Sequence, residues 1–195
     1  MKGRTARMHT HHAVQSALSG TRTEKNLLDA AKDEAFGSTK YALFAEAARK
    51  EGYPDIAALF ERNAGREKAH AALWLGYLGE LGSTAENLQS AVGSGQYGHA
   101  ALLPEASETA AEEGFAEIAE KLRLTAGVEH RTSQSFEEAL DAITDGSRFN
   151  GNVDTIWECR NCGAEYTGEA APEHCPLCGF PRGYMQKKNV CMVRF

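Results

Sequence analysis

Apolar positions along this chain recur at steps of three and four over four long stretches, and that spacing predicts a mainly helical protein. Thr21-Arg22-Thr23-Glu24 has the form of a capping box and opens a first helix that runs to about Gly52. Pro54 suits the first turn of a second helix, whose apolar positions Ile56, Phe60, Trp74, Leu78 and Leu81 carry it to Gly82. Residues 82–95 are rich in Gly, Ser, Thr and Asn, with a short helix predicted between Ala85 and Val92. A third long helix is expected from about Gln96 to Glu113, and a fourth from Phe115 to about Thr144. Beyond Asp145 the helical period stops.

An internal repeat organises these helices. Residues 48–70 (ARKEGYPDIAALFERNAGREKAH) align without gaps with residues 110–132 (AAEEGFAEIAEKLRLTAGVEHRT), at an offset of 62. Glu51/Glu113, Gly52/Gly114, Ile56/Ile118, Ala57/Ala119, Ala64/Ala126, Gly65/Gly127 and Glu67/Glu129 coincide. A period this long is unlike a solenoid array and predicts two related helix pairs in a four-helix bundle. The expected organisation is an N-terminal tail over 1–20, a bundle over 21–144, a linker over 145–154 and a cysteine domain over 155–195.

Ionisable residues interrupt the inward stripes. The first helix presents Leu27, Ala31, Glu34, Ser38, Tyr41, Ala45 and Ala48, and the second Ile56, Phe60, Asn63, Glu67, His70, Trp74 and Tyr77. The fourth presents Phe115, Ile118, Leu122, Thr125, Glu129, Thr132, Phe136, Leu140 and Ile143. Glu34, Glu67, His70 and Glu129 would therefore share one interior. Two carboxylates about 4 Å apart repel by about 4 kcal/mol at an effective dielectric near 20, and a divalent cation removes that conflict. Carboxylate and imidazole donors suit iron, manganese or zinc, one ion or two, and Glu67-x-x-His70 puts both donor types on one helical face. His99 is the one strong ligand type in the first turns of the third helix, and His130 points away from Glu129 toward the outer face. His9, His11 and His12 belong to the tail.

The C-terminal segment carries a second candidate site. Cys159-x-x-Cys162 and Cys175-x-x-Cys178 are separated by 12 residues, a spacing at which two knuckles supply four thiolates to iron or zinc. Trp157, Tyr166, Phe180 and Tyr184 form only a small core, so metal must contribute much of the folding free energy there. A purely structural zinc ribbon fits the same spacing. Cys191 is left over.

Composition narrows the function classes. Among 195 residues, 42% apolar and 25% charged, 21 basic residues against 27 acidic ones give a net charge of -6 with no basic block, which argues against a nucleic-acid partner. No apolar run reaches the roughly 18 residues of a membrane span, and the first residues lack the apolar stretch of a signal peptide. Paired cysteines in metal-binding rather than disulfide spacing fit a reducing compartment, and a cytoplasmic location is expected.

Residues 20–28 (GTRTEKNLL), the Glu67-x-x-His70 helix, Glu112-Glu113-Gly114-Phe115, Cys-Arg-Asn-Cys-Gly at 159–163 and Ala-Pro-Glu-His-Cys-Pro-Leu-Cys at 171–178 together resemble the rubrerythrin family. The resemblance spans about residues 20–185. It implies a ferritin-like four-helix bundle with a di-iron site and a small rubredoxin-like iron-tetrathiolate domain. It further implies a homodimer, and reduction of hydrogen peroxide with electrons relayed through the cysteine-bound iron from a redox partner. On this reading Glu34, Glu67, His70 and Glu129 occupy di-iron ligand positions, and Cys159, Cys162, Cys175 and Cys178 the rubredoxin positions. The chain departs from the family in its second helix pair. Where the family has Glu-x-x-Glu before a proline, anchoring on Pro104 places Gly98 and Ala101, and where it has Glu-x-x-His, Glu129-x-x-Thr132 stands here. A non-catalytic metal-binding or sensing protein with a mononuclear bundle site is the competing expectation.

Overall fold

The structure is a computed structural model that describes residues 14–94 and 100–188. Gln96, Gly98, His99, Cys191 and the tail histidines lie outside the described residues. The chain divides into two compact units, Met1–Asn87 and Leu88–Phe195.

The first unit is built on a helical hairpin. Helix α1 (Arg22–Lys50) starts as the capping box predicts: Glu24 N–H donates to Thr21 Oγ1 at 3.1 Å. The Glu24 carboxylate reaches one residue further back than usual and accepts from Gly20 N–H at 2.7 Å. After α1 the chain reverses through Gly52 at φ +88°, a conformation costly for any residue with a Cβ, and Tyr53 N–H closes onto Ala48 O at 2.8 Å. Helix α2 (Pro54–Leu78) carries Pro54 in its first turn and ends at Gly79, φ +79°. It stops short of the expected Gly82 because Gly79 caps it, with Glu80 N–H bonded to Leu75 O at 3.0 Å. Helix α3 (Thr84–Ser94) follows as the predicted short helix, opened by Ser83 N–H donating to the Glu86 carboxylate at 2.6 Å.

Small side chains set the α1/α2 contact. Ala45 and Ala48 from α1 pack with Ala57 from α2, Ala31 and Ala71 are buried as well, and Ser38 Oγ donates to Ala64 O at 2.9 Å. Tyr41, Phe44 and Phe60 cluster at the closed end, with Phe44 and Phe60 edge to face at 5.5 Å. The expected α1 stripe is correct. The α2 stripe holds at Phe60, Asn63, Glu67 and Trp74, which are half-buried, but Ala57 and Ala71 beside it are the buried residues, whereas Ile56, His70 and Tyr77 are exposed. Two helices approach most closely where Cβ groups are small, and the larger neighbours are displaced to the flanks.

The second unit repeats this local design. Helices α4 (Ala100–Glu112) and α5 (Ala116–Thr144) pair through Ala110 and Ala119, both buried. They reverse at Gly114, φ +87°, with Phe115 N–H on Ala110 O at 2.8 Å. The turn thus reproduces Gly52-Tyr53 residue for residue, as the repeat predicts. The α5 stripe likewise holds at Leu122, Glu129, Thr132 and Leu140, which are half-buried, while Ala119 and Ser133 beside it are buried and Phe115 and Ile118 are more than half exposed.

The expected linker is structured. Asp145 accepts from Ser147 N–H at 2.7 Å, a 3-10 turn spans Ser147–Phe149, and Ala171 N–H bonds Phe149 O at 2.9 Å. Three short antiparallel strands follow, β1 (Ile156–Cys159), β2 (Glu165–Thr167) and β3 (Met185–Lys187), in the order β2-β1-β3. Their register sets Trp157 beside Tyr166 and Cys159 beside Met185. Trp157, Cys159, Ala171, Cys175 and Met185 are almost fully buried, with Phe149 and Tyr166 packed against them. Trp157 and Tyr166 take the core roles expected of them. Phe180 and Tyr184 instead stack edge-on at 4.7 Å nearer the surface, and Ala171 and Met185 fill the interior.

Candidate metal centres

Glu34 on α1 and Glu67 and His70 on α2 meet at the middle of the first hairpin, with ligand atoms within 4.8 Å of one another. His70 Nδ1 lies 3.2 Å from Glu34 Oε2. Both carboxylates are half-buried, whereas the imidazole is exposed on the flank of α2. Gly37 leaves room beside them, since a Cβ there would lie 3.5 Å from Glu67 Oε2. The two acids do not titrate alike. The Glu67 hydrogen bond holds Glu34 below its ordinary value against the opposing effect of burial, with His70 and Trp74 assisting. The reciprocal bond from Glu34, together with burial, pushes Glu67 up. Of the two, Glu67 is therefore the first to take up a proton as pH falls.

This donor set fits a divalent cation. Ligand atoms about 2.1 Å from a common ion sit about 3 to 4 Å apart, so the cluster needs little rearrangement, and two oxygen donors with one nitrogen suit iron, manganese or zinc. Glu129, expected in the same interior, is half-buried on α5 in the second unit, where the repeat pairs it with Glu67. Thr132, the counterpart of His70, donates its hydroxyl to Val128 O at 3.1 Å and so engages its own helix. His130 is exposed, as expected of an outer-face residue.

Cys159 and Cys162 at the end of β1 and Cys175 and Cys178 in the second knuckle form the other cluster. Cys159 Sγ is 3.7 Å from Cys178 Sγ, and Cys162 Sγ is 3.6 Å from Cys175 Sγ. Four thiolates about 2.3 Å from a central ion stand about 3.8 Å apart along the edges of a tetrahedron, so these thiols are already close to ligand geometry. Gly163 and Gly179, at φ +75° and +72°, turn the chain immediately after each second cysteine. Gly163 N–H then reaches Cys159 O and Gly179 N–H reaches Cys175 O, each at 2.8 Å.

The thiols differ in acidity without metal. At Cys175 burial opposes ionisation, but the Tyr166 hydroxyl and the amides of Cys178 and Leu177 outweigh it and bring the thiol down to about 6. At Cys162 the Ala164 amide favours the thiolate, but burial and its hydrogen bonds to the other three sulfurs push it up to about 12. Asn161 Nδ2 donates to Cys178 Sγ at 3.5 Å, and with the Phe180 amide draws that thiol below its ordinary value. Sequence reasoning placed Tyr166 only in the small core and gave Asn161 no part. The polar Asn161 inside a knuckle was a usable signal, whereas nothing local marks the Tyr166 hydroxyl.

Comparison with known proteins agrees with both centres. The rubrerythrin family model matches residues 25–101, and that of the rubrerythrin rubredoxin-like domain matches residues 157–186. A rubrerythrin of Porphyromonas gingivalis is 37% identical over 89% of this chain and 93% of its own length. A putative rubrerythrin of Methanocaldococcus jannaschii is 32% identical over 85% of this chain and 92% of its own length. A solved structure of nigerythrin in its fully reduced, all-ferrous state shares 27% identity over 87% of this chain and 88% of that one, with a TM-score of 0.33. With its acid and imidazole cluster, its two cysteine knuckles and these full-length relatives, this chain belongs to the rubrerythrin family.

Proposed function

We propose that this protein is a non-haem iron redox protein that reduces hydrogen peroxide at the helical centre, using electrons delivered through iron at the four-cysteine centre. The observation that carries the reading is the presence, in one chain, of a Glu34/Glu67/His70 cluster and a tetrathiolate cluster, each suited to iron. Hydrogen peroxide takes up two electrons and two protons to give two molecules of water. An external one-electron reductant, held by a redox partner, supplies the electrons. Iron bound at the two centres would supply one-electron chemistry.

The chain's own groups have definite tasks. Glu34, kept ionised, orients His70 through Nδ1, which leaves Nε2 as the outward-facing nitrogen. Glu67, whose carboxyl is pushed above its ordinary value, is the more readily protonated acid of the metal-free pair. The exposed flank around His70 gives a molecule as small as peroxide direct access. Cys159, Cys162, Cys175 and Cys178 hold the electron-transfer metal, and we assign the protein a homodimeric state and a cytoplasmic location.

A second reading, a non-catalytic metal-binding or sensing protein with a mononuclear helical site and a structural zinc, draws on one observation: the hydroxyl of Thr132 is bonded to Val128 O where the repeat has an imidazole. Metal analysis and peroxide turnover of anaerobically purified protein separate the two. Iron at both centres, a visible thiolate-to-ferric-iron band that bleaches on reduction, and its return when peroxide is added support the first reading. Zinc at the cysteines with no peroxide consumption supports the second.

A further inference from the structure

The four cysteines are served by unequal surroundings, and the strongest side-chain contact falls on Cys175. This thiol is 2% exposed, so water does not reach its sulfur. Tyr166 Oη lies 3.4 Å from Cys175 Sγ and accepts the backbone N–H of Leu177 at 3.2 Å. The ring is anchored independently, since Tyr166 pairs with Trp157 across the β1/β2 ladder and packs on the buried core. A cysteine that ligates a metal does so as thiolate and has no proton to give. The Tyr166 hydroxyl is then the donor, and Leu177 N–H, by occupying a lone pair, leaves its proton directed at sulfur.

We infer that Tyr166 is a positioning residue that raises the reduction potential of iron held by the four cysteines, by donating a hydrogen bond from its hydroxyl to the Cys175 thiolate. The inference rests on the iron-binding role proposed for these cysteines. The step it acts on is the one-electron reduction of ferric to ferrous tetrathiolate. No bond forms or breaks, and the charge of the iron with its four thiolates goes from −1 to −2. The electron comes from an external one-electron donor. A hydrogen bond to sulfur is stronger in the more negative state, so it favours the ferrous form. Burial of Cys175 sharpens the effect, because the local dielectric is low and no water substitutes for the lost donor.

The test is a spectroelectrochemical titration of the full chain, reconstituted anaerobically with ferrous iron and poised with dithionite. Tyr166→Phe keeps the ring and removes only the hydroxyl. It should shift the reduction equilibrium toward ferric iron by about tenfold, a lowering of about 59 mV for a one-electron couple. Replacement of Tyr166 by 3-fluorotyrosine, a more acidic donor of the same shape, should move the potential the other way. This second variant decides the matter if Tyr166→Phe fails to hold iron. An unchanged potential in both, or a shift in the same direction in both, overturns the inference. Peroxide turnover is measured separately: its absence with the potential shifts intact would count against the proposed function and leave this inference standing.

Discussion

Glu34 and Glu67 are hydrogen-bonded across the α1/α2 hairpin, and this contact pulls their acidities in opposite directions, Glu34 down and Glu67 up. Metal loading must ionise both. Binding of a divalent cation should release a proton from Glu67, and affinity should fall as pH drops through its raised value. Glu34 stays ionised throughout that window and contributes no slope there. Calorimetric titration with manganese(II) in buffers of different ionisation enthalpy measures the release directly. Glu67→Gln should abolish it and weaken binding at least tenfold. Release of no proton by the unaltered protein across that pH window would contradict the raised value of Glu67.

The second hairpin predicts the metal count. Thr132 is committed to Val128 O, and Gly98 and Ala101 carry no ligand atom. One metal per chain is expected outside the cysteine centre, lost in Glu67→Ala. A second should appear in Gly98→Glu/Ala101→Glu/Thr132→His, with gained peroxide turnover. Elemental analysis and X-ray absorption decide this. Two metals about 3.5 to 4 Å apart in the unaltered protein would restore an ordinary dinuclear site.

Cys159 is fully buried beside Trp157 and Met185, so its sulfur is both ligand and core. Cys159→Ser, or chelation of the metal, should unfold the three-stranded domain, because its few apolar residues cannot offset the conformational entropy without metal. Far-ultraviolet circular dichroism should retain most of the helical signal, while tryptophan fluorescence reports exposure of Trp157. Loss of most helix would show that the helices depend on the small domain.

The glycines offer a prediction of opposite signs. Gly114 has φ +87° and no heavy atom within 4 Å of where a Cβ would stand, so the cost of Gly114→Ala is conformational alone, about 1 kcal/mol. Gly65 is helical and equally open, and Gly65→Ala should gain up to about 1 kcal/mol. Denaturant midpoints should move in opposite directions.

The sequence by itself determined which segments are helical, where the turns at Gly52 and Gly114 fall, and which residues are candidates for metal chemistry. These follow from local causes: capping at Thr21, the positive φ that glycine tolerates, a repeat that keeps both turns alike, and a knuckle spacing short enough for one ion. The α1 stripe was legible for the same reason, since small and apolar residues recur along it at steps of three and four with Glu34 the one carboxylate among them. Which residues of α2 and α5 are most deeply buried was not. Whether Ala57 or Ile56 faces α1 depends on how closely two helices approach, which is a property of the pair, and the result places His70 on the open flank with Glu34 3.2 Å from Nδ1. Tyr166 makes the same point in the small domain. As a sequence letter it is one more aromatic, and only the β1/β2 register together with the fold of the second knuckle brings its hydroxyl 3.4 Å from Cys175 Sγ. Spacing along a chain names candidate ligands; the electrostatic surroundings of those side chains arise from residues distant in sequence, so packing alone decides them.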